Sequence, residues 1–206
     1  MISALTGSSA LWYASRATGV VAVVLLSLVV VLGVLVRTRV RLPGLPRFAG
    51  VALHQRVCLI AVLFVAVHVL AAVADSYVSI RVAAVIIPFT SAYRPLAVGL
   101  GAVALDLGVA VVGTSLLRAR IGWKAWRAVH WLGYAIYPVA ILHALTAASD
   151  LRSGPLLAVV VASLVAVACA IGYRLLWPAT RRGAVIRTRV AAQRARQSAG
   201  RAGAAR

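Results

Sequence analysis

Apolar runs of helix length alternate with short polar stretches rich in arginine, proline and glycine along most of the chain. The first run covers about Leu11–Val36 and ends at Arg37, Arg39 and Arg41. It is longer than a signal-peptide core and has no small-residue cleavage site after it, so it predicts a membrane span. After the linker RTRVRLPGLPRFAG, a second span is predicted over Val51–Val73. Pro95 suits a helix start, and a third follows over Pro95–Leu117. The loop RARIGWK leads to a fourth, Ala125–Ala147. The fifth, Pro155–Trp177, is opened by Ser153-Gly154-Pro155 and closed by Pro178. The apolar piece Val78–Pro88 is too short to cross a bilayer and predicts an interfacial or re-entrant segment. The pattern is that of an all-α, polytopic membrane helix bundle of about five transmembrane spans. Residues 1–178 form the transmembrane domain, and 179–206 a basic tail expected to be disordered or to lie on lipid.

Composition agrees. The 206 residues are 63% hydrophobic and only 12% charged, which leaves no room for a sizeable soluble domain. The net charge of +19 comes from 22 Lys+Arg against 3 Asp+Glu. In a soluble chain it would point to nucleic acid. Here the charge lies in loops and tail, facing anionic lipid, and no nucleic-acid partner is expected. With the N-terminus outside, 18 cationic residues fall on the inner side and only Arg16, Arg81, Arg94 and Arg152 outside. The expected topology is N-out and C-in, in the cell membrane. Cys58 and Cys169 belong to no C-x-x-C motif and read as small buried apolar residues.

All four histidines lie in the second and fourth spans: His54 and His68, fourteen apart, and His130 and His143, thirteen apart. With one span between them, these two run parallel. His54 and His130 are then level near the inner face, and His68 and His143 level about 20 Å further out. Two imidazoles facing each other across parallel helices can fill both axial positions of one haem, a ligation that favours electron transfer over oxygen binding. Fourteen residues return to within about 40° of one helix face, whereas thirteen miss by about 140°. The fourth span must therefore bend, for which Pro138 is placed, or present its two rings from different flanks. The competing reading is a non-redox metal transporter or membrane scaffold that uses the histidines for metal binding or helix packing. Few carboxylates or thiols stand nearby to complete a zinc or copper site.

The motifs LHQR with His54, AVHVL with His68, RAVHWLGY with His130 and ILHAL with His143 resemble the ferric-reductase-like transmembrane domain. That domain is shared by ferric reductases, NADPH oxidases and the haem subunit of a bacterial methionine sulfoxide reductase system. The resemblance covers about Leu11–Asp150. It implies haem b, two or only one, ligated by His54 with His130 and by His68 with His143. The function it implies is that of the haem membrane component of an oxidoreductase, passing electrons to an extracytoplasmic acceptor such as ferric iron or a partner reductase. Reductases and oxidases of this kind carry a flavin- and nicotinamide-binding module after the last span, and here only the basic tail follows. The expected donor is a separate flavoprotein, a quinol or a reductase subunit, with flavin supplied only through that partner. GLGAVA at 99–104 formally fits a dinucleotide fingerprint but lies inside a span, where it reads as helix packing.

Haem propionates need cationic partners. Arg56 and Arg127 lie within a turn of the inner histidines, and Arg16, with Arg81 and Arg94, is the outer candidate. Phe64, Trp131, Tyr134 and Tyr137 fall between the two levels and read as helix packing. Asp106, inside the third span, is a candidate acceptor for a ligand imidazole or a neighbouring helix. Asp75 and Asp150 read as solvated loop residues.

Overall fold

The computed structural model describes residues 2–38, 40, 46, 48–76, 80–148, 151 and 154–176, with side chains of 2–9 left aside. The tail, together with Asp150, Ser153 and Trp177, lies outside the described residues. The helices are α1 (Ile2–Thr38), α2 (Ala49–Ala74), α3 (Val82–Ile86), α4 (Pro95–Leu116), α5 (Arg118–His130) and α6 (Gly133–Ala147), followed by α7 (Gly154–Leu176). Among the described residues there is no strand. Residues Ala10–Thr38 of α1, with α2, α4 and α7, are long and apolar enough to cross a membrane. The pair α5 and α6, bent by 45°, supplies the fifth span if counted as one.

Local chemistry fixes the helix ends. Pro95 opens α4, where its missing N–H costs nothing. Arg94 precedes it in the left-handed region (φ 41°). Its guanidinium donates to the carbonyls of Ala147 at 2.9 Å and Thr146 at 3.4 Å, groups that α6 leaves unpaired at its end.

Three expectations change. The RARIGWK stretch is helical, as the start of α5, although Gly122 interrupts it with φ 78°. None of α5 is buried, and its basic and aromatic residues suit a membrane surface. The fourth span bends at Trp131 and Leu132, not at Pro138, which is accommodated inside α6. The bend falls where polar α5 gives way to apolar α6, so the chain turns there from the membrane face into the bundle. Asp75, expected in solvent, is 3% exposed at the end of α2.

Helix α1 packs on α2, α4 packs on α6 and α5, α3 covers α4, and α1 also touches α6. Helices α2 and α6 do not pack closely on each other, and the histidine rings of α2 face those of α5 and α6 between them, along what is termed the slot. Beside it, Val23, Tyr137, Ile141 and Val167 form a buried cluster from α1, α6 and α7. The Ser27 hydroxyl bridges it, 2.7 Å from the Val23 carbonyl and 3.2 Å from the Tyr137 hydroxyl. Large apolar side chains such as Leu59, Leu63, Leu70, Val109 and Leu175 point outward, as a lipid-facing surface requires.

Helix α4 meets the segment after α3 at Gly99, where an added Cβ would lie 2.2 Å from Phe89 Cδ1. Gly99→Ala is expected to lower stability by about 1–3 kcal/mol through overpacking. Thermal unfolding in detergent measures it, and the loss is expected to shrink when Phe89→Ala is combined with it.

Candidate cofactor site

The two rings at each level meet across the slot. His54 and His130 have ring centres 6.5 Å apart with planes at 76°. His68 and His143 are 6.1 Å apart, also at 76°. Two imidazoles on opposite sides of one metal ion have centres about 6 Å apart, given metal–nitrogen bonds of about 2 Å. Both pairs therefore have the spacing of an axial ligand pair. Among the described residues, no three His, Cys, Asp or Glu side chains gather to hold a metal ion. A protein-only zinc site needs three or four such donors. A haem brings its own equatorial nitrogens and asks only for two axial ligands, which is what each level offers.

Thirteen residues separate His130 from His143, yet both rings reach the slot. The bend explains how. Between them the chain tightens to three-residue turns: Leu132 N–H bonds the Val129 carbonyl at 2.9 Å, and Ala135 N–H bonds that of Leu132 at 2.8 Å. Each residue so wound turns about 20° further than in an α-helix. That overwinding and the 45° bend shift the two rings relative to each other.

The rings are seated from behind by α1 and α4. His68 Nδ1 lies 2.7 Å from the Ser15 carbonyl, with the Ser15 hydroxyl at 3.4 Å. His143 Nδ1 lies 2.7 Å from the Ala97 carbonyl. A carbonyl only accepts, so Nδ1 carries the proton in both rings and Nε2 keeps its lone pair for a ligand. Each accepting carbonyl sits four residues before a glycine. An added Cβ at Gly19 would lie 3.0 Å from His68 Nδ1, and at Gly101 2.8 Å from His143 Nδ1. A helical side chain covers the turn before it, so only glycine leaves these carbonyls open to an imidazole. Gly33 faces His54 in the same way, more loosely, with 3.4 Å to Cε1. Gly19 and Gly33 escaped notice in the sequence, where Gly101 reads only as helix packing. Their signal was there: Gly19 and Gly33 are fourteen apart, the spacing of His54 and His68 on the antiparallel neighbour.

Among the other predicted site residues, Arg16 is half-buried and stacks over the Trp12 ring at 4.5 Å. Arg56 is exposed. Arg127 is exposed and lines a shallow depression with Trp123, Lys124, Ala128 and Trp131. Arg94, an outer candidate, is committed to the end of α6. Asp106 is exposed on α4, and among the ligand imidazoles that of His143 gives its proton to Ala97. Tyr137, Trp131 and Tyr134 pack: Tyr137 lies in the buried cluster, and Arg174 covers the other two rings and bonds the Tyr134 hydroxyl.

A bundle of apolar helices with four imidazoles turned in two pairs into one slot is a multi-pass membrane protein whose polar chemistry is gathered between its halves. The chain belongs to the ferric reductase like transmembrane component family, whose model matches residues 18–141. The match takes in His54, His68 and His130 and stops just short of His143. Domains of this kind generally bind haem, and their common role is transmembrane electron transfer. No curated protein and no solved structure matches the chain.

The seats yield a direct test. Gly101→Val pushes a side chain into the His143 ring and is expected to remove about one of two haem equivalents. Pyridine haemochrome analysis of the purified protein measures it, with Gly108→Val as control, since nothing lies within 4 Å of a Cβ at Gly108.

Proposed function

We propose that this chain is a transmembrane electron-transfer cytochrome b subunit. It holds one haem b between His54 and His130 near the inner face and another between His68 and His143 near the outer face, with N-out, C-in topology in the cell membrane. The observation that carries this reading is the matching ring separation at both levels, 6.5 and 6.1 Å, from α2 to α5 and α6, helices that do not pack closely on it. Bound there, haem iron supplies a one-electron change between ferric and ferrous states.

The protein's residues do the rest. At each level the two histidines would be the residues that hold the haem, one from α2 and one from the α5–α6 pair, and with both rings engaged the group would supply electron transfer rather than oxygen binding. Apolar side chains keep bulk water from the slot. Arg56 and Arg127 on the inner side and Arg16 on the outer side are the proposed propionate partners. On the inner face, α5 is a surface for a donor. Arg118 lies over the rings of Trp123 at 5.2 Å and Trp126 at 4.7 Å. Trp123 lies 4.9 Å from Trp126, which stacks on His130 at 4.7 Å. Aromatic rings thus run from an exposed tryptophan to an inner ligand. The donor is a separate flavoprotein, a quinol or a reductase subunit, and the acceptor is extracytoplasmic, ferric iron or a partner reductase. With a negative interior, outward movement of one electron is favoured by about 2.3 kcal/mol per 100 mV.

The full chain, purified from haem-replete cells, is expected to show a reducible b-type spectrum and two haems per chain. His68→Ala is expected to leave one. A wild-type protein without a Soret band overturns the proposal and favours the metal-transporter or scaffold reading.

A further inference from the structure

The four imidazoles are not seated alike. His68 and His143 each give a ring proton to a backbone carbonyl at 2.7 Å, and each of those carbonyls is uncovered by a glycine four residues on. The Nδ1 atoms of His54 and His130 are buried with no hydrogen-bond partner. The Val29 carbonyl, four residues before Gly33, faces His54 from α1, but no bond of normal geometry forms. At His130 the device is missing. Helix α4 is unbroken, so the position that returns closest to the face of Gly101 at the level of His130 is fourteen residues on, Ser115. Its hydroxyl donates to the Val111 carbonyl, four residues back, at 2.6 Å, where the seats of His68 and His143 have a glycine that leaves the carbonyl open. In place of a carbonyl, His130 has Trp126, stacked on it with planes at 25°. Trp126 is in turn tied to α4 by its indole N–H, 3.2 Å from Ser115 Oγ.

We infer that the two histidine pairs are unequal seats: the outer pair is preset by the Ser15 and Ala97 carbonyls and retains its haem, whereas the inner pair depends on the Trp126 stack and releases its haem first. The inference rests on the haem-binding reading above. A hydrogen-bonded Nδ1 fixes the tautomer, the ring orientation and the basicity of the ligating nitrogen before the metal arrives. An unanchored ring has to be ordered when the ligand binds, and that cost is subtracted from affinity. Trp126 is therefore a positioning residue for His130.

Haem is withdrawn from the purified full chain by excess apomyoglobin and followed by absorbance. Two phases are expected. The one-haem protein left after the first is expected to match His130→Ala, and not His143→Ala, in visible spectrum and low-temperature EPR. Trp126→Ala is expected to speed the first phase by about 10–100-fold while leaving the second in place, and Trp126→Phe to restore a rate near wild type. Loss of both haems at one rate overturns the inference. So does a half-depleted protein that matches His143→Ala, or a Trp126→Ala change that speeds both phases alike. A wild-type chain that holds no haem at all fails the earlier proposal instead, so the two failures are told apart.

Discussion

A helix carbonyl that already accepts the N–H four residues on keeps one free lone pair, and the side chain at that later position normally covers it. The arrangement of this protein depends on leaving that cover off. At Ser15 and Gly19, and again at Ala97 and Gly101, the missing Cβ lets an imidazole from the neighbouring helix reach the carbonyl. An isolated histidine among apolar helices has no water to satisfy Nδ1 and no reason to point in one direction. The open carbonyl supplies both a partner and a direction. It also dictates close helix packing, since a carbonyl is reached at 2.7 Å only when the two backbones approach nearly in contact.

Much of this was legible in the sequence, for a physical reason: a bilayer demands long apolar runs and puts charge at their ends. The observed boundaries of α2 (Ala49–Ala74) and α4 (Pro95–Leu116) lie within a few residues of the expected ones. The pairing of histidine levels followed from equal spacing on helices of like direction. What the sequence hid was local. Pro138 looked like the place for a bend, yet surrounding helices can absorb a proline, and the chain bends instead where a surface helix becomes a buried one. The RARIGWK stretch lacked an apolar run and so read as a loop. At a membrane face its basic and aromatic residues form the start of α5 instead. Asp75 read as solvated because it follows an apolar run, but the helix end is itself covered.

The two faces of the slot follow different rules. At the His68–His143 level the imidazoles are held by main chain, which no side-chain motion can withdraw. At the other level, His54 has its Nδ1 unpaired and a thiol, Cys58 Sγ, 3.7 Å from Nε2, while His130 has an aromatic neighbour. The inner level also adjoins the exposed basic helix. The ordered level is the one closed by helix ends such as the Arg94 contact with Ala147, and the adaptable level is the one beside the exposed α5.

Each level draws one ring from the α1–α2 half and one from the α4–α6 half. Neither half alone can grip a metal on both sides. During synthesis the first half emerges long before the second, carrying His54 and His68, the latter already seated on α1. On the proposed reading, a haem held between the two rings of each level would staple an early-inserted hairpin to a late one, adding to the packed contact of α1 with α6, so that full occupancy would certify an assembled bundle.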